Sequence, residues 1–162
     1  MRRWSEVYFG HTEMGRTMTT KTKRAKITVG TEIEPVKKYI LLEELDAKGK
    51  EGTSHHNSKK VAYETDRMPR PIGNGSRMGC YNAEAAARFL GREQFNRTGI
   101  VDMHFGHPWF SGETMTVTGR VSDIRPEGDG QRVTIDMRVE NQDGVRCGLG
   151  ICSAVVPNSR VK

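Results

Sequence analysis

A carboxylate and an imidazole lie five residues apart in one stretch of the sequence. Glu51 and His56 belong to the run Glu-Gly-Thr-Ser-His-His-Asn-Ser, whose glycine and serines favour a loop. A loop lets both side chains turn toward one point and share a water molecule. The imidazole can take a proton from water near neutral pH, while the carboxyl group orients that water or exchanges a second proton. The pair predicts acid–base chemistry, although such paired histidines are more often exposed loop residues.

A second candidate is the segment 70–76, Arg-Pro-Ile-Gly-Asn-Gly-Ser, which leads directly into a predicted helix. Gly75 would present its backbone N–H at the start of that helix, where unpaired donors and the helix dipole favour a developing negative charge. Such a donor can hold a thioester carbonyl and stabilise the enolate that forms during hydration. The alternative is that Pro71, Gly73 and Gly75 only interrupt a loop before the helix.

Apolar and polar residues alternate in the second half of the chain, which predicts the sheet that must position these residues. Alternation over 132–140 predicts a half-buried strand, followed by an Asn-Gln-Asp-Gly turn at 141–144 and a further strand over 145–155. An earlier alternation over 115–121 ends at a turn over 126–130. Together these segments predict a meander of three antiparallel strands.

Four other segments complete the predicted fold. Residues 76–90 predict a helix, because they are rich in alanine, and 101–105 predict a shorter strand. Residues 26–40 predict a first strand region broken by Pro35, and 41–48 a short helix. A long antiparallel sheet after one helix of small residues indicates an α+β fold in which the sheet wraps around that helix.

Length and composition limit the class of protein. The 162 residues are about one domain's worth. Three cysteines, Cys80, Cys147 and Cys152, are odd in number and widely spaced, which favours reduced thiols over a disulfide framework. The sequence has no apolar run near the ~20 residues that cross a bilayer, and no signal-peptide pattern. We therefore expect a cytoplasmic protein.

The formal net charge of +6 is concentrated at the N-terminus. Residues 1–26 hold seven basic and two acidic residues, a net of +5, which leaves +1 for the remainder. A basic arm of this kind can contact nucleic acid, but this one has no stacking aromatics along its basic stretch. We expect a solvated segment that binds neither nucleic acid nor a membrane.

The two candidate segments, in this order and followed by the meander, resemble the MaoC-like dehydratases, which include the (R)-specific enoyl-CoA hydratases. The family's motif Asp-x-Asn-Pro-x-His-x-Asp, with an alanine six residues after the histidine, aligns with Glu51, His56 and Ala62. Residues 70–75 resemble the family's Arg-Pro-Ile-x-His-Gly segment. Residues 110–117 are similar to its Gly-Asp-containing start of a strand.

The resemblance implies a hot-dog fold over 26–157, between a basic N-terminal arm at 1–25 and a C-terminal tail at 158–162. The sequence departs from the family pattern at four positions. Glutamate replaces aspartate, threonine replaces asparagine, serine replaces proline and asparagine replaces histidine. These departures are Glu51, Thr53, Ser54 and Asn74.

The resemblance also implies the residue roles of an enoyl-thioester hydratase. His56 would activate the water that adds at the β carbon, and Glu51 would position it and help deliver a proton to the α carbon. The Gly75 N–H would polarise the thioester carbonyl. Asn74 and Ser76 would contact the substrate, and Asn74 could instead orient the His56 loop. No metal or cofactor is implied, since coenzyme A enters only as part of the substrate, and a homodimer or higher homo-oligomer is expected.

Two other functions are compatible with the same fold. The four departures fit a non-catalytic subunit that completes the site of a partner in a heteromeric dehydratase. Alternatively, Glu51 or His56 could activate water toward the carbonyl carbon of an acyl-CoA, which would make the protein a thioesterase. Aromatic residues at the end of the short strand and in the bend after it line either an acyl or interface region or simply the core. They are Phe105, Trp109 and Phe110.

Overall fold

The structure is a computed structural model that describes residues 26–41 and 53–162. The predicted basic arm over 1–25 lies outside these residues, as does all but the first residue of the predicted helix at 41–48. Glu51 also lies outside them. The site is therefore described from His56, the segment that leads to Gly75, and their surroundings.

One antiparallel sheet of five strands forms the body of the described chain, in the order β1-β3-β4-β5-β2. Its strands are β1 Val36–Tyr39, β2 Ile100–Phe105, β3 Thr114–Glu127, β4 Gly130–Glu140 and β5 Arg146–Pro157. The last three are consecutive antiparallel neighbours, so the predicted meander is confirmed. The short strand β2 pairs with β5 and lies at an edge of the sheet.

Two irregularities interrupt the pairing of the long strands. The register between β3 and β4 shifts between Val121 and Asp123, and that between β4 and β5 shifts at Val139 and Glu140. An extra residue in one strand bends the strand and increases its twist. Such bends let a long sheet curve around a helix.

In the described part of the chain, three α-helices accompany the sheet: α1 Lys59–Glu64, α2 Gly75–Leu90 and α3 Arg92–Thr98. The predicted helix over 76–90 is confirmed as α2, whereas α1 and α3 were not predicted. Helix α2 contacts four of the five strands, β2 to β5. Within the described ranges, no helix has the length and apolar character needed to cross a bilayer.

The core lies between α2 and one face of the sheet. The apolar positions of β4 are all buried, as their alternation predicts: Val133, Ile135, Met137 and Val139. Small and apolar residues of α2 face them: Met78, Ala85, Ala86 and Leu90. Because the alanines are small, the helix can approach the sheet closely.

The predicted first strand region over 26–40 is shorter than expected. Regular pairing with β3 begins at Val36, directly after Pro35, because proline has no N–H to donate to a ladder. Upstream of Pro35, only Ile27 and Glu32 form isolated bridges, to Val161 and Arg120.

The residues assigned to a C-terminal tail, 158–162, are joined to the domain. They begin with a turn of 3₁₀ helix, after which Val161 pairs with Ile27. The backbone N–H of Ile27 donates to the Arg160 carbonyl at 2.8 Å, and the Arg160 guanidinium donates to the Phe89 carbonyl at 3.1 Å. These contacts attach the predicted tail to the domain, whose last strand ends at Pro157.

The three thiols are free and differ in accessibility, which gives a direct test of the fold. Cys80 is exposed, while burial raises the pKa of Cys147 to about 11 and that of Cys152 to about 12. A thiolate is the reactive form, so the two buried thiols stay protonated and shielded at pH 8. We expect mass spectrometry to find one alkylated cysteine, Cys80, in the native protein and three after unfolding. Rapid native labelling of Cys147 or Cys152 would contradict this fold.

Candidate active site

A short turn before α1 holds His56. The Ser58 side chain caps α1 by accepting from the Val61 N–H at 3.2 Å. Upstream, the N–H groups of Asn57 and Ser58 both donate to the Ser54 carbonyl, at 3.1 and 3.0 Å. The turn is thus closed by its own hydrogen bonds, so His56 stands on a defined backbone just before a helix.

The ring of His56 is held in one tautomer. Its Nδ1 lies 2.9 Å from the backbone carbonyl oxygen of Ile72, and the side chain is half-buried. A carbonyl oxygen only accepts, so Nδ1 must carry the proton and donate it. In the neutral ring, Nε2 then has the lone pair, which is the form that a general base requires.

The segment that carries the Ile72 carbonyl is fixed on both sides. On one side, the Ile72 N–H donates to the His55 carbonyl at 3.1 Å. On the other, the Gly73 N–H donates to the Trp109 carbonyl at 2.9 Å, and the Ser111 N–H donates to the Pro71 carbonyl at 2.9 Å. The segment therefore joins the histidine turn to the residues just before β3.

A buried carboxylate strengthens this junction. Glu113, 5% exposed, accepts from the Phe110 N–H at 2.8 Å and lies 3.4 Å from the Arg70 guanidinium. Arg70 also donates to the Ser111 carbonyl at 2.9 Å. Sequence reasoning did not assign a role to this pair. The sequence signal for the pair was that each of the two segments compared with the family, 70–75 and 110–117, contains one charged residue. The structure brings these two residues together.

Helix α2 begins at Gly75, three residues after Ile72. Asn74 is its N-cap, and its Oδ1 accepts from the Arg77 N–H at 3.0 Å and from the Ser76 hydroxyl at 2.8 Å. Among the described residues, no hydrogen bond engages the Gly75 N–H. The helix start therefore presents the Gly75 N–H as a donor beside the segment that orients His56.

Phe105 lies against the helix start. A Cβ added at Gly75 would come within 2.6 Å of the Phe105 ring, so only glycine fits under the ring in its present position. The ring is half-exposed, and beside it opens a cavity of about 400 Å³ that His104 and Arg146 also line. Trp109, by contrast, is a core residue, 3% exposed.

The cap gives a prediction about Asn74. Replacing Asn74 with alanine removes the acceptor for the Arg77 N–H, and the loss of an N-cap typically costs about 1 kcal/mol. We expect the free energy of unfolding in urea to fall by that amount. The matched control is Ser76→Ala, which leaves the cap acceptor in place and should change stability by under about 0.5 kcal/mol. Equal effects of the two substitutions would contradict the capping role.

The structure describes four of the five predicted site residues, and it links His56 to the segment 72–76 that holds the other three. His56 contacts the segment that leads to Gly75, while Asn74 and Ser76 form the cap of α2 beside it. The placement of Glu51 lies outside the described residues. Two residues to which sequence reasoning assigned no role, His55 and Asp66, form a hydrogen bond next to His56.

Solved structures with the same fold were found, although no family model and no curated protein matches this sequence. One is the (R)-hydratase PhaJ1 from Pseudomonas aeruginosa, with 22% identity and a TM-score of 0.65 over 81% of this chain and 83% of that chain. Another is a MaoC-like dehydratase from Rhodospirillum rubrum, with 16% identity and a TM-score of 0.63 over 80% and 92% of the two chains.

A third similar structure is a hot-dog-like protein from Thermanaerovibrio acidaminovorans, with 18% identity and a TM-score of 0.50 over 81% and 84% of the two chains. The predicted hot-dog fold is therefore confirmed. The chain shares this α+β fold with MaoC-like dehydratases and (R)-hydratases. At these identities the similarity establishes the fold and leaves the reaction to the chemistry of the site.

Proposed function

We propose that this chain catalyses the reversible addition of water to a 2-enoyl thioester, which gives a 3-hydroxyacyl thioester. The observation that carries the proposal is the hydrogen bond from His56 Nδ1 to the Ile72 carbonyl, which leaves Nε2 as a base. The fold that the chain shares with (R)-hydratases supports the same reaction. Coenzyme A is the carrier that we propose for the acyl group.

The steps of this reaction need a base, a donor and a source of the second proton. His56 Nε2 takes a proton from water as the water oxygen bonds to the β carbon. The electron pair of the carbon–carbon double bond moves toward the thioester carbonyl, where the Gly75 N–H stabilises the enolate oxygen. The Glu51 carboxylic acid, which the family resemblance places in this role, then gives its proton to the α carbon. Transfer of the proton on the His56 imidazolium to the Glu51 carboxylate restores both groups.

The test of this function is an assay that separates hydration from its alternatives. A panel of trans-2-enoyl-CoA thioesters is incubated with the native protein, and loss of the enoyl chromophore is followed together with free thiol. We expect the chromophore to disappear without thiol release, and mass spectrometry to show a product heavier by one water. Thiol release without hydration would make the protein a thioesterase instead.

Inactivity across the panel would favour the partner-subunit function. In that case the chain should raise the activity of a heteromeric dehydratase when it is co-expressed with a catalytic subunit. Glu51→Gln is the informative variant in the active case. It keeps the size of the side chain and removes the acid, so it should lower the rate of both hydration and dehydration.

We propose that two copies of the chain pair through the edge strand β2. Apolar side chains, each at least 37% exposed, lie on one face of β2 and the neighbouring β5, and we call them the edge patch: Ile100, Leu149 and Ile151. An exposed strand edge with apolar flanks is a template for pairing with another strand. A second copy would cover both the patch and the open edge.

Sedimentation velocity tests this pairing. We expect the native protein to sediment as a dimer of the 18.2 kDa chain and Ile100→Lys to shift it toward the monomer, because a lysine on an edge opposes pairing. The matched control is Val29→Lys, at a residue 62% exposed and outside the edge patch. A native protein that stays monomeric at all concentrations would contradict the pairing.

A further inference from the structure

The residue before His56 is also a histidine, and it has a charged partner. His55 Nδ1 lies 2.8 Å from the Asp66 carboxylate, and both side chains are about one-third exposed. A carboxylate accepts, so His55 donates from Nδ1 in this pair. Asp66 is eleven residues away along the chain, at the far end of α1. The pair therefore closes a loop that contains the whole of α1.

The backbone after α1 is set to hold Asp66 in place. The N–H of Met68 donates to the Ala62 carbonyl at 2.8 Å, and between them Arg67 adopts a φ of 55°. Left-handed backbone is uncommon for a residue other than glycine and is kept where surrounding contacts hold it. Here the conformation folds the chain back at the end of α1, on the side where Asp66 reaches His55.

His55 contacts His56 directly. The two rings meet at 73°, with their centroids 4.3 Å apart. The His55 carbonyl also accepts from the Ile72 N–H at 3.1 Å, so the same segment that binds the His56 ring is bound by the His55 backbone. One ring therefore lies between a fixed carboxylate and the imidazole that serves as the proposed base.

We propose that His55 and Asp66 are a positioning pair that fixes the orientation of the His56 ring. A hydrogen bond at Nδ1 alone leaves the imidazole free to pivot about that contact. A second ring packed against it, and held by Asp66, removes this freedom and aims Nε2 in one direction. The inference rests on the proposed function, in which His56 contacts water and substrate, while the other two residues act only through it.

Loss of the positioning pair should affect the catalytic rate more than the binding of substrate. A catalytic group misplaced by about 1 Å can lose about a hundredfold in rate, so a loosened ring should lower kcat. We expect Asp66→Ala to lower kcat about tenfold while KM stays within about twofold. Asp66→Asn keeps an acceptor oxygen for His55 and should lose less. His55→Phe keeps a ring against His56 but cannot donate to Asp66, and it should resemble Asp66→Ala.

A spectroscopic test makes this inference independent of activity. Long-range ¹H–¹⁵N NMR correlation distinguishes a ring nitrogen that carries a proton from one that does not. We expect the neutral His56 ring to show the Nδ1–H form in the native protein and in the variants, because the bond to Ile72 is kept. In Asp66→Ala and His55→Phe the His56 ring signals should broaden and shift, because the ring then samples several orientations about that bond. The matched control is Glu64→Gln, at an exposed carboxylate near the end of α1, which should leave the His56 signals unchanged.

The outcomes separate the two proposals. Unchanged His56 signals in both Asp66→Ala and His55→Phe would overturn the positioning role, whatever the effect on rate. Altered signals in a native protein that hydrates no thioester would uphold the pair and overturn the proposed reaction. Urea unfolding of each variant shows whether the fold is intact, and His55→Phe provides the readout if Asp66→Ala fails to fold.

Discussion

His56→Asn should abolish hydration of enoyl thioesters while leaving the fold intact. The asparagine side-chain amide can donate to the Ile72 carbonyl in place of Nδ1, but it has no basic nitrogen to take a proton from water. General base catalysis contributes about 10²- to 10⁴-fold, so kcat should fall by that factor with a small change in KM. The measurement is the initial rate of chromophore loss across a range of substrate concentrations.

Two further variants complete this experiment. His56→Ala should lose as much rate as His56→Asn and, because it also loses the bond to Ile72, should be less stable in urea. His107→Ala is the matched control, since His107 is exposed and its Nδ1 lies 2.7 Å from the carbonyl oxygen of its neighbour Pro108. A His56→Asn protein with the native rate would exclude His56 as the base.

Gly73→Ala should be the most destabilising of the small substitutions in the segment before α2. A Cβ added at Gly73 would lie 2.0 Å from the indole ring of Trp109, which is 3% exposed and enclosed by the core. The backbone cannot retreat easily, because the Gly73 N–H donates to the Trp109 carbonyl at 2.9 Å. Overpacking of this kind typically costs 1–3 kcal/mol, so we expect a loss of about 3 kcal/mol in the free energy of unfolding.

Thermal unfolding checks this expectation. For a domain of this size, about 3 kcal/mol corresponds to a fall in Tm of roughly 10 °C. Gly79→Ala is the matched control, because Gly79 lies within α2 and a Cβ there meets nothing within 4 Å. That substitution should stabilise the helix by about 0.5–1 kcal/mol. Equal Tm values for the two variants would contradict the close approach of Gly73 to Trp109.

The long strands and the central helix could be predicted from the sequence because their signals are local. Along β4, every second residue is apolar. Because successive side chains of a strand point to opposite faces, this pattern predicts both the strand and the face that is buried. The run of alanines in α2 predicts the helix in the same local way, because alanine is a strong helix former. Each signal lies within about fifteen residues and does not depend on the rest of the fold.

The short elements could not be predicted in the same way. Helices α1 and α3 have six and seven residues, too few for a helical period to stand out. Strand β2 was predicted, but its pairing with β5 at the edge of the sheet was not, since that choice depends on contacts between residues about fifty positions apart. Pro35 was correctly predicted to interrupt the first strand region, because the effect of proline is local.

The sequence by itself determined the fold class, the identity of His56 and Gly75 as candidates, and the position of Gly75 at the start of a helix, since these follow from residue type and short spacing. Only the tertiary structure decided that the Ile72 carbonyl selects the tautomer of His56. It also showed that the Asn74 side chain caps α2. The reason is physical: which acceptor lies next to a given N–H group depends on how distant segments approach each other in three dimensions. Residue spacing alone does not encode that approach.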